Sequence, residues 1–188
     1  MTFAYVGLGT AFLLIVWAVY TYNSLVHARN KVAEAYSGID VQLKMRHDLV
    51  PNLVQVVRGY ADHEHRVLDS VATLRNQAMA LEDPAALQRV ENKLAQEMRG
   101  VIGLAERYPN LKASQEFQKL MTEVTDVENE IQASRSLYNA NVQFYNSRAQ
   151  SLPTNLIANH MTPRDFPFLS FDYVEADASK LLAGEFAA

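Results

Sequence analysis

Residues 3–22 carry no charged side chain, and this run restricts the fold of the chain more than any other feature. About 20 helical residues span about 30 Å, which is the thickness of the hydrocarbon core of a bilayer. Trp17, Tyr20 and Tyr22 lie near the C-terminal end of the run, where interfacial aromatic residues are enriched in membrane helices. The run therefore predicts a transmembrane anchor over residues 1–22.

Two other interpretations of the run are a cleaved signal peptide and a buried core helix. A signal peptide fits poorly, because Met1 and Thr2 supply no Lys or Arg before the run and no Ala-x-Ala-like site follows it. A core helix fits poorly because the run is long. The basic residues Arg29 and Lys31 lie only behind the run, so the positive-inside rule predicts an outer N-terminus and a cytoplasmic domain.

The composition of the rest of the chain excludes several classes of function. The full chain has 188 residues and a net charge of −4, with acidic and basic residues interleaved. Binding to nucleic acid requires a basic surface, so we expect no nucleic-acid partner. The chain has no cysteine, which excludes disulfides, thiolate metal sites and a cysteine nucleophile.

Helical periodicity predicts four helices between residues 23 and 150. The first continues the membrane helix to about Arg46, because apolar residues recur there at steps of three and four. Asp48 is the predicted cap of the second helix, with Pro51 in its first turn, where the N–H that proline lacks is not needed. The residue before a proline disfavours helical geometry, which also predicts a break here.

The third predicted helix begins at Asp83, a capping residue that Pro84 follows at the first helical position. The fourth runs from about residues 111–114 to Gln150. Short connections predict that neighbouring helices pack antiparallel. The predicted fold is thus all-α: an anchor over residues 1–22, an up-down four-helix bundle over 23–150, and an irregular tail over 151–188.

The tail is rich in proline and aromatic residues and lacks helical periodicity. It is too apolar to be predicted disordered, so it must dock on another surface. Counting helix directions returns the chain near Gln150 to the membrane, which predicts that Phe166, Phe168 and Phe171 lie at the membrane interface. Docking on the chain's own bundle, on lipid or on a neighbouring copy all remain open.

Two stretches of sequence carry a recognisable pattern. The first contains Tyr22-Asn23-x-Leu25-Val26, Arg29-Asn30-x-Val32-x-Glu34-Ala35, Ile39-Asp40-Val41-Gln42-Leu43-Lys44-x-Arg46-His47-Asp48-Leu49-Val50-Pro51-Asn52-Leu53-Val54 and Gly59-Tyr60-Ala61-x-His63-Glu64. The second contains Tyr138-Asn139, Tyr145-Asn146 and Pro153-x-Asn155-Leu156-Ile157-Ala158. Together they resemble the LemA family of bacterial membrane proteins over roughly residues 1–160.

The resemblance implies an N-terminal transmembrane helix, an up-down four-helix bundle and a place in the bacterial inner membrane. The family has no established catalytic activity and no agreed catalytic residues. Some members are linked to membrane remodelling, including magnetosome formation, and others look like companions of membrane-bound metalloproteases. This chain departs from the family pattern at Tyr36, where Trp is common, and in its tail beyond about Asn159.

The carboxylates of a helical bundle raise the hypothesis of a di-metal site, which needs Glu-x-x-His pairs to place both ligands on one helical face. Not one glutamate of this chain is followed by a histidine three residues later. His63 and His65 lie about 200° apart on a helix and cannot chelate one ion together. We therefore expect no metal and no cofactor.

Arg46-His47-Asp48 has the composition of an acid–base site, but a helix boundary explains it better. Asp48 then caps the second helix, and the positive charges suit the C-terminus of the first. Asparagines recur near the helix margins, at positions 52, 139, 146 and 155. They are interpreted as caps or polar links between helices, and alternatively as a surface that recognises another subunit.

The sequence thus favours a non-catalytic protein that acts by self-assembly of anchored copies and organises or remodels the membrane. Its expected partners are the lipid bilayer and other copies of itself. The alternative is an adaptor or regulator of another membrane protein, such as a membrane-bound metalloprotease. An enzyme is the least favoured class, because the ligand spacings that a catalytic metal requires are missing.

Overall fold

The computed structural model describes residues 2–61, 63–162 and 165–170. These ranges contain helices and no strand, so the predicted all-α class is confirmed. In chain order the described helices are α1 (Thr2–Arg58), α2 (His65–Met79), α3 (Pro84–Arg107), α4 (Pro109–Lys112), α5 (Gln115–Gln150) and α6 (Asn155–Ala158).

Helix α1 continues through Asp48 and Pro51 and ends at Arg58, so the predicted break with Asp48 as a cap is wrong. Pro51 has no N–H to donate to the carbonyl of His47, the acceptor four residues earlier. Instead, Nε of Arg75 on α2 donates to that carbonyl at 2.6 Å. A side chain thus replaces the donor that proline lacks, and the helix continues with its backbone acceptor satisfied.

Replacing Arg75 with Met is therefore expected to lower the free energy of unfolding by about 1–3 kcal/mol, because the His47 carbonyl loses its donor. Adding Pro51→Ala restores a backbone N–H at the same place and should recover most of the loss. Urea unfolding of the full-length protein in mild detergent measures both effects. The contradicting result is a cost of Arg75→Met that is the same with Pro51 and with Ala at this position.

Helix α3 begins directly after Asp83, which is its N-cap residue. One carboxylate oxygen of Asp83 accepts a hydrogen bond from the backbone N–H of Ala86 at 2.8 Å. Pro84 occupies the first helical position, where the fixed φ of proline suits the helix and its missing N–H leaves no acceptor unpaired. The cap and the proline together account for the sharp start of this helix.

The chain forms two compact units, and α1 and α5 contribute to both of them. The first unit consists of Met1–Ser37 and Ser136–Leu169, and the second of Gly38–Arg135 and Ser170–Ala188, as far as these residues are described. In the second unit α2 packs on α3. Its core contains Val50, Leu53, Val57, Leu68, Val71, Leu94, Met98, Val101, Leu104, Leu111, Phe117, Met121 and Val124.

In the first unit α1 and α5 are antiparallel neighbours. The rings of Tyr36 and Tyr138 meet edge to face, with centroids 5.9 Å apart. Nearer the N-terminal apolar run, Nδ2 of Asn141 donates to the carbonyl of Lys31 at 3.4 Å. Residue numbers therefore fall along α1 as they rise along α5. Because both helices rise equally per residue, α5 ends level with about Asn23.

The interface of these two helices uses steps of three and four residues. Its buried members are Leu25, Ala28, Val32 and Ala35 on α1 and Tyr138, Val142, Tyr145 and Ala149 on α5. Burial along α1 begins at Thr21, which is 6% exposed and lies at the C-terminal end of the uncharged run. The folded part of the first unit thus starts where the predicted membrane span ends.

Candidate functional site

Four ionisable side chains are buried in the core of the second unit, and we call them the buried charge cluster. Arg46 and His47 lie on α1, while Glu91 lies on α3 and Glu128 on α5. The guanidinium of Arg46 bonds Glu91 through Nη2 and Glu128 through Nη1, the latter at 3.1 Å. Nε2 of His47 lies 2.7 Å from Oε1 of Glu91. The cluster therefore links three helices through charged hydrogen bonds.

Burial disfavours the charged forms of Arg46 and Glu91, and the ion pairs of the cluster outweigh this effect. For Arg46, burial disfavours the charged form, yet the two carboxylates together raise the pKa of the guanidinium above its ordinary value. For Glu91, burial favours the neutral acid, but the hydrogen bond with His47 and the charge of Arg46 lower its pKa below 4.5. Both groups are consequently ionised at neutral pH.

The enclosure of the cluster favours a structural role over a catalytic one. Arg46 is 1% exposed and Glu91 is fully buried, so a substrate in solution has no access to either group. The central guanidinium also repels a metal ion, and the described residues contain no group of His, Asp and Glu placed to hold one. We expect the cluster to fix how α1, α3 and α5 pack within this unit.

The interpretation of Arg46, His47 and Asp48 as a helix boundary is wrong, since all three lie inside α1. Their two acidic partners are not among the residues predicted from the sequence. Glu91 lies three residues before the buried Leu94 on α3, and Glu128 lies three residues before the buried residue 131 on α5. An acidic residue in the apolar register of a helix is the signal that identifies such buried charges.

In the first unit, two asparagines on α5 bind the extended segment 165–169, and we call them the asparagine clamps. Nδ2 of Asn139 donates to the carbonyl of Leu169 at 2.8 Å, and Oδ1 accepts the Leu169 N–H at 3.0 Å. Asn146 forms the same pair of bonds with Phe166, at 2.9 and 3.0 Å. Each clamp thus satisfies both backbone groups of one tail residue.

The spacing of the clamps matches the spacing of an extended chain. Asn139 and Asn146 are seven residues apart, or about 10.5 Å along a helix. Residues 166 and 169 are three apart, or about 10 Å along an extended segment. The two asparagines therefore bind the tail. The sequence predicted that they cap a helix or bond another helix, and the structure shows neither role for them. Asn52 lies exposed on α1, and Asn155 begins α6.

The remaining tail aromatics have different surroundings. The ring of Phe166 packs edge to face against Tyr145, with centroids 5.1 Å apart, and the Tyr138 hydroxyl donates to the carbonyl of residue 167 at 3.1 Å. Phe168 is 59% exposed, and Phe171 lies outside the described residues. Of the docking surfaces left open by the sequence, the chain's own helices hold the segment 165–169.

The apolar run of α1 is not buried by the rest of the chain until Thr21. The helix contains a window long and apolar enough to cross a membrane, and the described side chains of that window are exposed. At its C-terminal end Trp17, Tyr20 and Tyr22 are 36%, 70% and 52% exposed. A stretch this apolar requires a cover other than water.

Helix α5 carries a second exposed surface within the first unit. Leu137, Ala140, Phe144 and Ser147 follow one another at helical spacing and are exposed, and we call them the α5 face. A shallow groove of about 400 Å³ runs along this face. The guanidinium of Arg148 lies over the Phe144 ring, 5.4 Å from its centroid. The face combines exposed apolar groups with one cation.

The sequence matches a described protein family and several curated relatives. The model of the LemA family matches residues 35–181. Protein LemA of Metamycoplasma hominis is 25% identical over 164 residues, which cover 85% of this chain and 74% of that protein. Magnetosome protein MamQ of Magnetospirillum gryphiswaldense and magnetosome protein MamQ 2 of Paramagnetospirillum magneticum are 20% and 22% identical. Each match covers 73% of this chain and 60% of the magnetosome protein.

Proposed function

We propose that this chain, which belongs to the LemA family, is a non-catalytic membrane protein whose anchored copies associate side by side and thereby organise or remodel the membrane. Two relatives are named as magnetosome proteins. The resemblance to the family separately implies membrane remodelling for some members. The α5 face is the observation that carries the proposal.

The anchor supports membrane association. The exposed apolar window of α1 is long enough to cross a bilayer, and folded structure begins at Thr21, directly behind it. Basic residues such as Arg29 and Lys31 follow the window, whereas none precedes it. By the positive-inside rule the proposal places the N-terminus outside and both units in the cytoplasm, at a bacterial inner membrane.

The chemistry of the described residues supports a non-catalytic role. The cluster around Arg46 is enclosed and internally paired, so its ionisable groups meet no substrate. The groove along the α5 face is open and shallow, and Arg148 is the charged residue among those that line it. A single cation without an acid or base beside it gives a surface suited to contact rather than to acid–base chemistry.

The α5 face supports association between copies. Leu137 and Phe144 are 59% and 50% exposed and lie two helical turns apart, which is the pattern of a helix that packs on another helix. Anchoring gives every copy the same orientation and the same height above the bilayer. The face of one copy therefore meets the same face of another at matching height and raised local concentration, which favours a second copy as the occupant.

The chain has no cysteine, so Phe144→Cys introduces a single reactive thiol on the α5 face. We expect this variant to form disulfide-linked dimers when its membranes are oxidised. In intact cells the same thiol should be protected from an impermeant maleimide, because the proposal places it in the cytoplasm. Asn30→Cys is the matched control: it is exposed on α1 at nearly the same height, but lies outside the α5 face.

Equal dimer yields for Phe144→Cys and Asn30→Cys contradict association through the α5 face. A Phe144→Cys protein that links to a different protein instead favours the adaptor or regulator of a membrane-bound enzyme. Labelling of the thiol from outside intact cells overturns the orientation alone.

A further inference from the structure

We infer that residues 151–158, which we call the foot segment, form a second membrane contact in which Leu152 and Leu156 enter the headgroup region beside the anchor. The inference rests on membrane anchoring through α1, and is independent of association between copies. It follows from the height of the segment, its composition and the exposure of its two leucines.

The height of the foot segment follows from the antiparallel register of the first unit. The contacts of Tyr138 with Tyr36 and of Asn141 with Lys31 place the end of α5 level with about Asn23 of α1. The foot segment begins at the next residue of the chain and therefore lies level with the last residues of the apolar run. The aromatic residues of the anchor that mark the interface occupy the same level.

The foot segment is folded, because the N–H of Ser151 donates to the carbonyl of Ser147 at the end of α5 at 3.1 Å, and further backbone bonds lie within the segment. The N–H of Asn155 donates to the carbonyl of Ser151 at 2.9 Å, and the Ala158 N–H donates to the carbonyl of Thr154 at 3.1 Å. Ala158, at the end of the segment, is fully buried, and Thr21 on α1, near the level at which the segment begins, is 6% exposed. The first unit is thus packed down to the predicted surface of the bilayer.

The exposed part of the segment is apolar. Residues 151–158 contain no charged side chain, and Leu152 and Leu156 are 78% and 61% exposed. Large apolar side chains in an uncharged stretch suit the boundary between headgroups and acyl chains, which interfacial segments enter by about 5–10 Å. Since the anchor fixes the height of the segment at this boundary, lipid is the occupant that the geometry favours.

Tryptophan fluorescence in vesicles tests the contact directly. Trp17 is the only tryptophan of the chain, so Trp17→Phe gives a background without tryptophan emission. Leu156→Trp is added to this background in the full-length protein, and Leu152→Trp serves as an independent second probe. Each protein is reconstituted in phosphatidylcholine vesicles with and without bromine atoms on the acyl chains, which quench tryptophan on contact.

We expect the brominated lipid to remove most of the emission of both probes, at every ratio of protein to lipid. Leu137→Trp on the same background is the matched control. It is similarly exposed, but the register places it about 20 Å farther from the membrane, so its emission should be unaffected.

Emission at long wavelength without quenching at position 156 places the leucine in water and overturns the inference. Emission at short wavelength without quenching places it against protein and overturns it equally. Flotation of the same vesicles monitors anchoring separately, so a lost anchor is distinguished from a foot segment that stays out of the lipid.

Discussion

Replacing Arg46 with Met is expected to lower the free energy of unfolding by about 3–5 kcal/mol, the usual effect of removing one partner from a buried ion pair. The substitution leaves Glu91 and Glu128 without the cation that they share. Both carboxylates are almost fully buried, so water cannot replace the lost hydrogen bonds. Urea unfolding of the full-length protein in mild detergent, followed by circular dichroism, measures the loss.

The triple variant Arg46→Met, Glu91→Met and Glu128→Met is the matched control. It removes all three charges at nearly constant volume, and replacing a whole buried network with apolar residues is often close to neutral. We expect it to be clearly more stable than Arg46→Met alone, with a residual loss because His47 no longer has its carboxylate. A triple variant as unstable as the single one means that shape, rather than charge balance, sets the cost.

The same cluster predicts how stability depends on acid. The pKa of Glu91 is lower in the folded chain than its ordinary value of 4.5. Its ionised form therefore stabilises the fold fully above pH 4.5, and this contribution is lost as the pH falls through the folded pKa. Glu91→Gln should reduce stability most at neutral pH, and the difference from the parent should shrink in acid. A difference that stays constant through the acid range would contradict the ion pair.

Replacing both asparagine clamps with Ala is expected to release the segment 165–169 from α5. The two side chains make four hydrogen bonds to the tail backbone, and at about 0.5–1.5 kcal/mol each these contribute about 2–6 kcal/mol. The amide N–H groups of Phe166 and Leu169 should then exchange with solvent much faster. Hydrogen exchange followed by mass spectrometry or NMR measures the protection of each amide.

The single variants give a sharper result. Asn139→Ala should expose the amide of Leu169 first, and Asn146→Ala that of Phe166, since each clamp binds one residue. Asn141→Ala is the matched control on the same helix, because its side chain bonds α1 rather than the tail. Fast exchange of both tail amides in the parent protein would show that the clamps do not hold the segment.

Local patterns were sufficient for the long apolar N-terminal helix, the all-α class and the start of α3. An uncharged run of bilayer length, steps of three and four residues, and Asp83 before Pro84 all act within a few residues along the chain. The predicted break at Pro51 failed because the donor that replaces its missing N–H comes from Arg75, on another helix. Pairing between distant residues is not visible in local sequence.

The same reason explains the other differences. The local sequence predicts a helix end at Arg46 and His47. Their partner Glu91 lies on α3, so the pairing that keeps them inside α1 is not visible in that stretch of sequence. The tail composition predicts a docking surface without naming it, and only the fold places Asn139 and Asn146 opposite the backbone of the segment 165–169. The seven-residue spacing of the two asparagines is present in the sequence, and it becomes informative once the extended geometry of the tail is known.

The central claim is that anchored copies associate through the α5 face. The mass of the full-length protein in lipid nanodiscs tests this association most directly. We expect discs that hold several copies, and a shift to single copies when Phe144→Glu places a charge on that face. Single copies for the parent protein would contradict self-association, and multiple copies that persist with Phe144→Glu would contradict the role of the α5 face.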